Sequence, residues 1–316
     1  MNLEDDQSTN RSGNRPFAEV LEVRLDRRKA IAGGLAAMAT TFLAPSVVGA
    51  QGRGDGQDGA NRGRANRRNR DLIGFAPVAV ADGGGATPAI SSDYRYQVII
   101  PWGEPILAPY PEHVNGSKTA ADQEKQIGIG HDGMHFYPLG RGNDHGVLCI
   151  NHEFGRNTHV YGKGGPDSLE DVRLSQAAHG VSVVELRADG QGRWGVVRGG
   201  YNRRITPNTP VVFSGPVAGH PILGDPARPS FGTVNNCSSG ATPWGTYLTC
   251  EENFNGYFGS TGAWIPTAAQ DRYGFSNGGF GYGWELYDSR WDLSEDSGED
   301  NRFGWCVEID PLDPNQ

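Results

Sequence analysis

Residues 232–257 read GTVNNCSSGATPWGTYLTCEENFNGY and combine four asparagines, two adjacent glutamates and two cysteines between turn-forming glycines. Oxygen donors suit Ca²⁺, whereas a thiolate among carboxylates suits iron or another transition metal. The middle of the segment, residues 246–250, alternates between polar and apolar side chains in the manner of a strand. The stretch therefore predicts metal ligands held on short β-strands.

The rest of the chain favours the same kind of fold. Glycine and proline supply 47 and 20 of the 316 residues, and apolar residues occur in short runs with a period near two. Many short strands between glycine-rich turns are typical of a sandwich, barrel or propeller. The predicted strands are Tyr94–Ile100, Met134–Pro138, Gly146–Ile150, Val181–Leu186, Trp194–Arg198, Thr209–Phe213, Thr246–Cys250 and Gly304–Ile309. We therefore predict an all-β protein.

One helix and one hairpin stand out after residue 70. Residues 168–178 have helical character, with Ser168 at the N-cap, Asp171 three residues later and Gly180 beyond the end. Asp189 and Gly190 form a dipeptide that strongly favours a tight turn between two strands. These features add a short helix and a hairpin to the predicted β fold.

The N-terminus resembles an export signal. Arg27 and Arg28 precede the uncharged, weakly apolar run 30–43, and the small residues 48–50 suit a cleavage site. The run is too short for a permanent membrane anchor, and the alternative of an amphipathic helix is disfavoured because it shows no polar face. We predict a signal peptide over residues 1–50, recognised by the twin-arginine export machinery, and a periplasmic or secreted protein.

Residues 51–89 are predicted to be a disordered, low-complexity linker. Twelve of the 28 basic residues and eight of the 37 acidic ones precede residue 71, so the remainder carries 16 basic and 29 acidic residues, a net charge of −13. This charge argues against binding to nucleic acid or an anionic membrane surface. An anionic substrate would need bound cations to invert the local field.

Two early motifs contain candidate site residues. His131, Asp132 and His135 lie within five residues beside two glycines. Either Asp132 ligates a metal while a histidine binds substrate or metal, or Asp132 only caps a turn. Asn151 and Glu153 follow a predicted strand and point to one side of it, away from His152. We take Asp132, Asn151 and Glu153 as candidate metal ligands and His131 and His135 as candidate catalytic residues.

Other candidates have two open interpretations. His179 lies at the end of the predicted helix, where it either interacts with the helix dipole or acts as a catalytic residue. Glu251 and Glu252 emerge on opposite faces of a strand, and Asn236 offers an amide oxygen, although asparagine is also a common turn former. Cys237 either forms a disulfide with Cys250 or ligates a metal as a thiolate. The other three cysteines, Cys149, Cys250 and Cys306, resemble small buried apolar residues.

At these motifs the chain resembles the PhoX-type alkaline phosphatases. The order and spacing of the matching segments agree over roughly residues 90–316, and the twin-arginine leader is also in keeping with this family. The segments that carry the resemblance are 128–136, 147–153, 177–184, 214–220 and 235–258.

The resemblance implies a periplasmic or secreted phosphomonoesterase on a six-bladed β-propeller-like scaffold. Its site would hold two ferric ions and several calcium ions bridged by an oxo group. Cys237 resembles the iron-binding cysteine of the family, and Glu251 or Glu252 would be a carboxylate ligand. Asp132, Asn151 and Glu153 are further ligand candidates.

Family members are considerably longer than this chain, so we expect residues 90–316 to be about half of the propeller, truncated at the C-terminus. We expect a monomer that acts on small phosphate esters, and a fragment that is incomplete as an enzyme. Two alternatives stay open: a calcium-stabilised propeller that binds without turnover, and a calcium-dependent lactonase or esterase.

Overall fold

The structure is a computed structural model that describes residues 76–79, 85, 87–113, 119–295 and 298–314. The predicted signal peptide, residues 1–50, lies outside the described residues. The described parts of the predicted linker, 76–79, 85 and 87–89, contain neither helix nor strand. Within the described ranges, each helix is too short or too polar to cross a bilayer.

Antiparallel pairing joins the strands of the described residues into three sheets. The largest sheet has five strands: β1 (His131–Pro138), β2 (His145–His152), β3 (Gly180–Ala188), β4 (Trp194–Val196) and β5 (Arg203–Ile205). The smallest has two: β6 (Thr209–Val211) and β7 (Ser230–Gly232). The third has three: β8 (Asn236–Ala241), β9 (Tyr247–Glu251) and β10 (Cys306–Ile309).

The α-helices of the described residues are few and short. They are α1 (Ala120–Gln123), α2 (Asn157–Val160), α3 (Leu169–Ala178) and α4 (Ala268–Tyr273). The helix expected from the sequence is α3, and the Asp171 backbone amide donates to Ser168 Oγ at 3.2 Å. The expectation of a single helix is wrong, because α4 has its own capping box between Thr267 and Gln270 and ends at Gly274 in the left-handed region, at φ 75°.

Seven of the eight predicted strands are present, several of them with different ends. The exception is Tyr94–Ile100, which forms no strand. Here the side chain of Gln97 replaces backbone pairing: its amide donates to Trp194 O at 2.7 Å and accepts from Trp194 N at 2.9 Å. The segment therefore borders the edge strand β4 through a side chain, which an alternating pattern cannot reveal. The predicted turn after Asp189 does join β3 to β4.

The two central strands are buried on both faces. On β2, Val147 and Cys149 contribute to one apolar cluster, which also contains Tyr247 and Ile309 of the three-stranded sheet. Leu148 and Ile150 point to the opposite side. Since β3 alternates in the same way, the five-stranded sheet has a core on each side, and one of these cores joins it to the β8–β10 sheet.

A third core is built almost entirely from residues outside the sheets. It contains buried aromatic side chains from the turns and 3₁₀ segments of residues 254–303, with Trp284 and Trp291 fully buried. The prediction of a mostly β protein is confirmed, and the structure adds that its sheets are antiparallel. The described strands form no closed ring, so the six-bladed scaffold stays a prediction.

Candidate metal centre

Two pairs of strands bring the candidate site residues together. In the β1–β2 pair, His131 lies opposite His152, and the side chains of the residues that follow them, Asp132 and Glu153, interact. In the β8–β9 pair, Asn236 lies opposite Glu251, and the side chains of Cys237 and Glu252 interact. Register irregularities interrupt β1 after His131 and β8 after Asn236. Such bulges change the direction of side chains at functional sites.

The two strand pairs meet at Gly133. A Cβ at this position would lie 2.7 Å from Cys237 O and 2.5 Å from Ser239 Oγ. Real side-chain carbons do not approach other atoms this closely, so only glycine allows β1 to pack against β8 here. This contact brings the start of β1 next to the start of β8.

The result is a cluster of Asp132, Glu153 and Cys237, whose potential ligand atoms all lie within 4.8 Å of one another. Ion-to-ligand distances of about 2.0–2.4 Å place donors on opposite sides of an ion up to ~4.8 Å apart. The three atoms are therefore spaced to contact one ion. Two carboxylates with one thiol form a donor set that suits a transition metal such as iron better than calcium.

The electrostatics of this cluster also favour a cation. The carboxylates of Asp132 and Glu252 both interact with the Cys237 thiol, and its pKa is raised to about 12, chiefly by the hydrogen bond with Asp132 and then by burial. Burial, followed by repulsion from Asp132 and Glu252, raises the pKa of Glu153. A bound cation would offset this repulsion and favour the thiolate and carboxylate forms. Glu252 thus adds a third carboxylate next to those of Asp132 and Glu153.

Asn151 lies beneath the cluster and connects its two halves. Its Nδ2 donates to Cys237 O at 2.8 Å, and its Oδ1 accepts from Thr249 Oγ1 at 2.9 Å. The hydroxyl of Tyr247 lies 2.8 Å from the same Oδ1 and 2.9 Å from Gly133 O. The predicted ligand Asn151 is therefore fully buried and already hydrogen-bonded, and the structure gives it the role of positioning Cys237.

Asn235 has a positioning role that the sequence did not reveal. It adopts a positive φ of 51°, which asparagine tolerates better than most residues. Its carbonyl accepts from Glu252 N at 3.0 Å, and its Nδ2 donates to Glu153 O at 3.4 Å and to Tyr257 OH at 3.2 Å. One asparagine thus links the backbones of two acidic residues of the site. In the sequence, two adjacent asparagines indicate only a turn. The hydrogen-bond partners of Asn235 depend on tertiary packing.

Glu251 does not join the cluster. Its Oε1 accepts from Thr233 Oγ1 at 2.6 Å and Val234 N at 3.2 Å, and its Oε2 accepts from Gly304 N at 2.7 Å and Trp305 N at 3.0 Å. This arrangement agrees with the prediction that the two glutamates emerge on opposite faces of the strand. The buried carboxylate of Glu251 links the backbone at 233–234 to that at 304–305. Its carboxylate is therefore occupied by protein donors.

Asn236 has a mixed environment. It is fully buried, and its Nδ2 donates to Thr233 Oγ1 at 2.9 Å and to Thr249 Oγ1 at 3.0 Å. Its Oδ1 has no hydrogen-bond partner among the described residues. The oxygen predicted as a ligand is thus without a protein donor, although the three-residue cluster does not include it.

The three predicted catalytic histidines have different surroundings. His131 lies at the surface with its Nε2 2.8 Å from Ile100 O and its ring against His152. His135 is exposed on β1, with its ring 4.8 Å from that of Tyr137 and no side-chain hydrogen bond to another described residue. His179 is fully buried and is not a member of the acidic cluster, so its catalytic role stays a prediction.

His179 belongs to the aromatic core. Its Nδ1 donates to Ser175 O at 2.6 Å, its Nε2 accepts from Gly155 N at 3.3 Å, and its ring packs edge-on against Tyr257 and Trp284. Burial lowers its pKa to about 4, so the neutral form is held despite the nearby helix end. The dipole interaction expected for a charged imidazole does not apply.

This burial makes the stability of the protein dependent on pH. Between pH 6.5 and 4 the unfolded chain binds a proton at His179 that the folded chain does not, so stability falls as the pH falls through this window. We expect the protonation of this histidine in the unfolded chain to lower the free energy of unfolding by about 2 kcal/mol between pH 7 and pH 5. Urea unfolding at pH 7, 6 and 5 measures the free energy of unfolding. In His179→Phe this free energy should change less with pH than in the parent.

The control for this experiment is His135→Gln, because His135 is exposed and packs only at the surface of β1. The pH dependence of its free energy of unfolding should equal that of the parent. An unchanged pH dependence in His179→Phe would contradict the assignment of a neutral buried histidine. His152, whose pKa burial also lowers well below its ordinary value, accounts for part of the pH dependence that remains.

All four cysteines are free, so the structure contains no Cys237–Cys250 disulfide. Cys149 is buried as predicted, and Cys250 is half-buried. The prediction of a buried Cys306 is wrong: this thiol is exposed, because β10 is an edge strand and Cys306 lies on the face opposite the apolar core.

Comparison with known proteins identifies one matching family. The family model for alkaline phosphatase PhoX matches residues 73–316. A solved structure of Pseudomonas fluorescens PhoX in complex with vanadate, a transition state analogue, is similar to this chain, with 42% sequence identity and a TM-score of 0.69. The similarity covers 72% of this chain and 40% of that one. No curated protein matches.

The family model covers most of the chain, including every strand and all members of the acidic cluster. The chain spans less than half the length of the solved relative. On the family match and on the structural similarity at 42% identity, the chain belongs to the alkaline phosphatase PhoX family.

Proposed function

We propose that the whole protein containing this region is a metal-dependent phosphomonoesterase that releases inorganic phosphate from small phosphate esters. The observation that carries the proposal is the similarity to a PhoX structure bound to vanadate. Vanadate imitates the five-coordinate geometry of phosphoryl transfer, so its binding marks a phosphoryl-transfer site in that relative. The acidic cluster of this chain supports the same chemistry, because an anionic substrate requires a cation among these carboxylates.

We further propose that Cys237, Asp132 and Glu153 hold ferric iron, with Glu252 as an adjacent carboxylate, and that calcium binds through oxygen ligands elsewhere in the whole protein. When bound, these metals supply the positive charge that neutralises phosphate oxygens and stabilises the transition state. The residues of the chain fix the donors: Asn151 holds the Cys237 backbone and Asn235 holds those of Glu153 and Glu252. His135 is exposed on β1, so its imidazole is accessible to a substrate.

An assay of the whole protein on p-nitrophenyl phosphate tests this proposal. We expect phosphate release that is lost on treatment with a calcium chelator and restored by added Ca²⁺, because the substrate anion cannot bind a carboxylate-rich site without cations. A lactone and p-nitrophenyl acetate serve as control substrates. Hydrolysis of the controls alone would favour the lactonase or esterase alternative, and no turnover of any substrate would favour a binding protein.

The location and scaffold are also proposals. Arg27 and Arg28 support export by the twin-arginine route to the periplasm or beyond the cell, and replacing both with lysine should leave the protein in the cytoplasm in a fractionation experiment. We propose that residues 1–50 are the signal peptide, that 51–89 form a linker and that the sheets belong to a six-bladed propeller of a monomeric protein. Light scattering of the whole protein tests the monomer.

A further inference from the structure

Cys250 and Cys306 lie directly opposite each other on β9 and β10. Glu251 N donates to Trp305 O at 3.0 Å, so the 251–305 pair is hydrogen-bonded and the adjoining cysteine pair occupies a non-hydrogen-bonded position. At such positions the Cα atoms approach to about 4.5 Å and the side chains point to the same face. This separation lies at the short end of the range that a disulfide spans.

The two thiols also interact and can be reached from solvent. Burial, followed by the hydrogen bond and charge interaction with the Cys250 thiol, raises the pKa of Cys306 to about 11. Cys306 is exposed and lines an open cavity of about 1480 Å³ together with Phe213 and Leu248. A small oxidant therefore has access to this cysteine.

We propose that Cys250 and Cys306 are an oxidisable pair that forms a cross-strand disulfide with a small disulfide oxidant such as oxidised glutathione. One protein thiolate attacks the glutathione disulfide and forms a mixed disulfide, and the first glutathione leaves and takes up a proton. The second protein thiolate then attacks the protein sulfur of the mixed disulfide and releases the second glutathione. Two protein thiols are oxidised and one glutathione disulfide is reduced to two thiols.

The other two cysteines are unsuited to this reaction. Cys149 is fully buried on β2, and burial raises the pKa of its thiol to about 12. Cys237 lies on β8 with its Sγ within 4.8 Å of carboxylate oxygens of Asp132 and Glu153, so its sulfur faces carboxylates and not another thiol. We therefore expect the disulfide to form between Cys250 and Cys306 and not with the other two cysteines. This cross-link would join β9 to β10 and close a loop of about 56 residues.

Peptide mapping of the chain tests the proposal without a substitution. The protein is incubated with oxidised glutathione, its remaining thiols are alkylated under denaturing conditions, and it is digested with chymotrypsin. Trypsin is unsuitable, because no lysine or arginine separates Cys237 from Cys250, whereas cleavage after Tyr247 or Leu248 separates them. We expect a Cys250–Cys306 linked peptide that dithiothreitol removes, with Cys149 and Cys237 alkylated.

Variants and stability give independent readouts. Cys306→Ser should abolish the linked peptide and leave Cys250 alkylated, whereas the control Cys149→Ala should retain the link. In the parent, oxidation should raise Tm by roughly 5 °C or more, because the cross-link restricts the unfolded chain. Alkylation of all four cysteines after oxidation, or a link that joins Cys306 to Cys237, would overturn the proposal.

Discussion

Replacing Cys237 with serine is expected to reduce iron binding by at least about 100-fold. Loss of a residue that only supports a ligand costs 10- to 100-fold in metal affinity, and loss of the thiolate itself should cost at least as much. A ferric thiolate also absorbs visible light by charge transfer, so the variant should lose its colour. Metal analysis and the visible spectrum of the whole protein measure the two effects.

A matched control is Ser238→Ala, which changes the exposed neighbour of Cys237 and leaves the thiol in place. This control should keep both its iron and its colour. The Asn151→Ala variant should show an intermediate loss, because it removes the hydrogen bond to Cys237 O but no ligand atom. Unchanged iron content in Cys237→Ser would show that the iron site is built from other residues.

Replacing Glu251 with alanine is expected to lower the free energy of unfolding by about 4 kcal/mol. The substitution removes a buried acceptor for four donors, one on Thr233 and three on the backbone, and leaves those donors unsatisfied. Glu251→Gln should also destabilise, by about 2 kcal/mol, because an amide replaces one acceptor oxygen with a donor that faces other donors. Urea unfolding of the chain measures both changes.

The matched control is the adjacent Glu252→Ala. Glu252 is exposed, so its loss should change the free energy of unfolding by less than about 1 kcal/mol while weakening metal binding beside Cys237. The two neighbouring glutamates are thus expected to separate stability from metal affinity. A stable Glu251→Ala variant together with an unfolded Glu252→Ala variant would contradict the assignment of a stabilising role to Glu251 and a metal-binding role to Glu252.

Local sequence patterns determined much of the fold. The caps around α3, the dipeptide Asp189-Gly190 and the alternation on seven strands each depend on residues a few positions apart, so they are legible without the tertiary structure. The strand predicted at 94–100 is absent because the side chain of Gln97, and not the backbone of the segment, forms hydrogen bonds with the edge of β4. The capping box of α4 depends on residues three positions apart and is therefore equally predictable from the sequence.

The candidate site was predictable in its residue types and only partly in its members. Cys237, Asp132 and Glu153 were all proposed from the sequence, and the structure brings them together. Glu251 and Asn151 belong to the same motifs, and yet the structure uses them as hydrogen-bonding supports. Their sequence neighbourhoods resemble those of the clustered residues, so no local signal separates the two groups.

By itself the sequence determined which side chains can bind a cation, since donor chemistry is a property of each residue. Only the tertiary structure decided which of them meet, because the bulges in β1 and β8 and the contact at Gly133 fix side-chain directions between segments far apart in the chain. The same holds for His179, whose neutral state follows from burial by the aromatic core. Burial and long-range contacts depend on the whole packed molecule, and short-range patterns do not encode them.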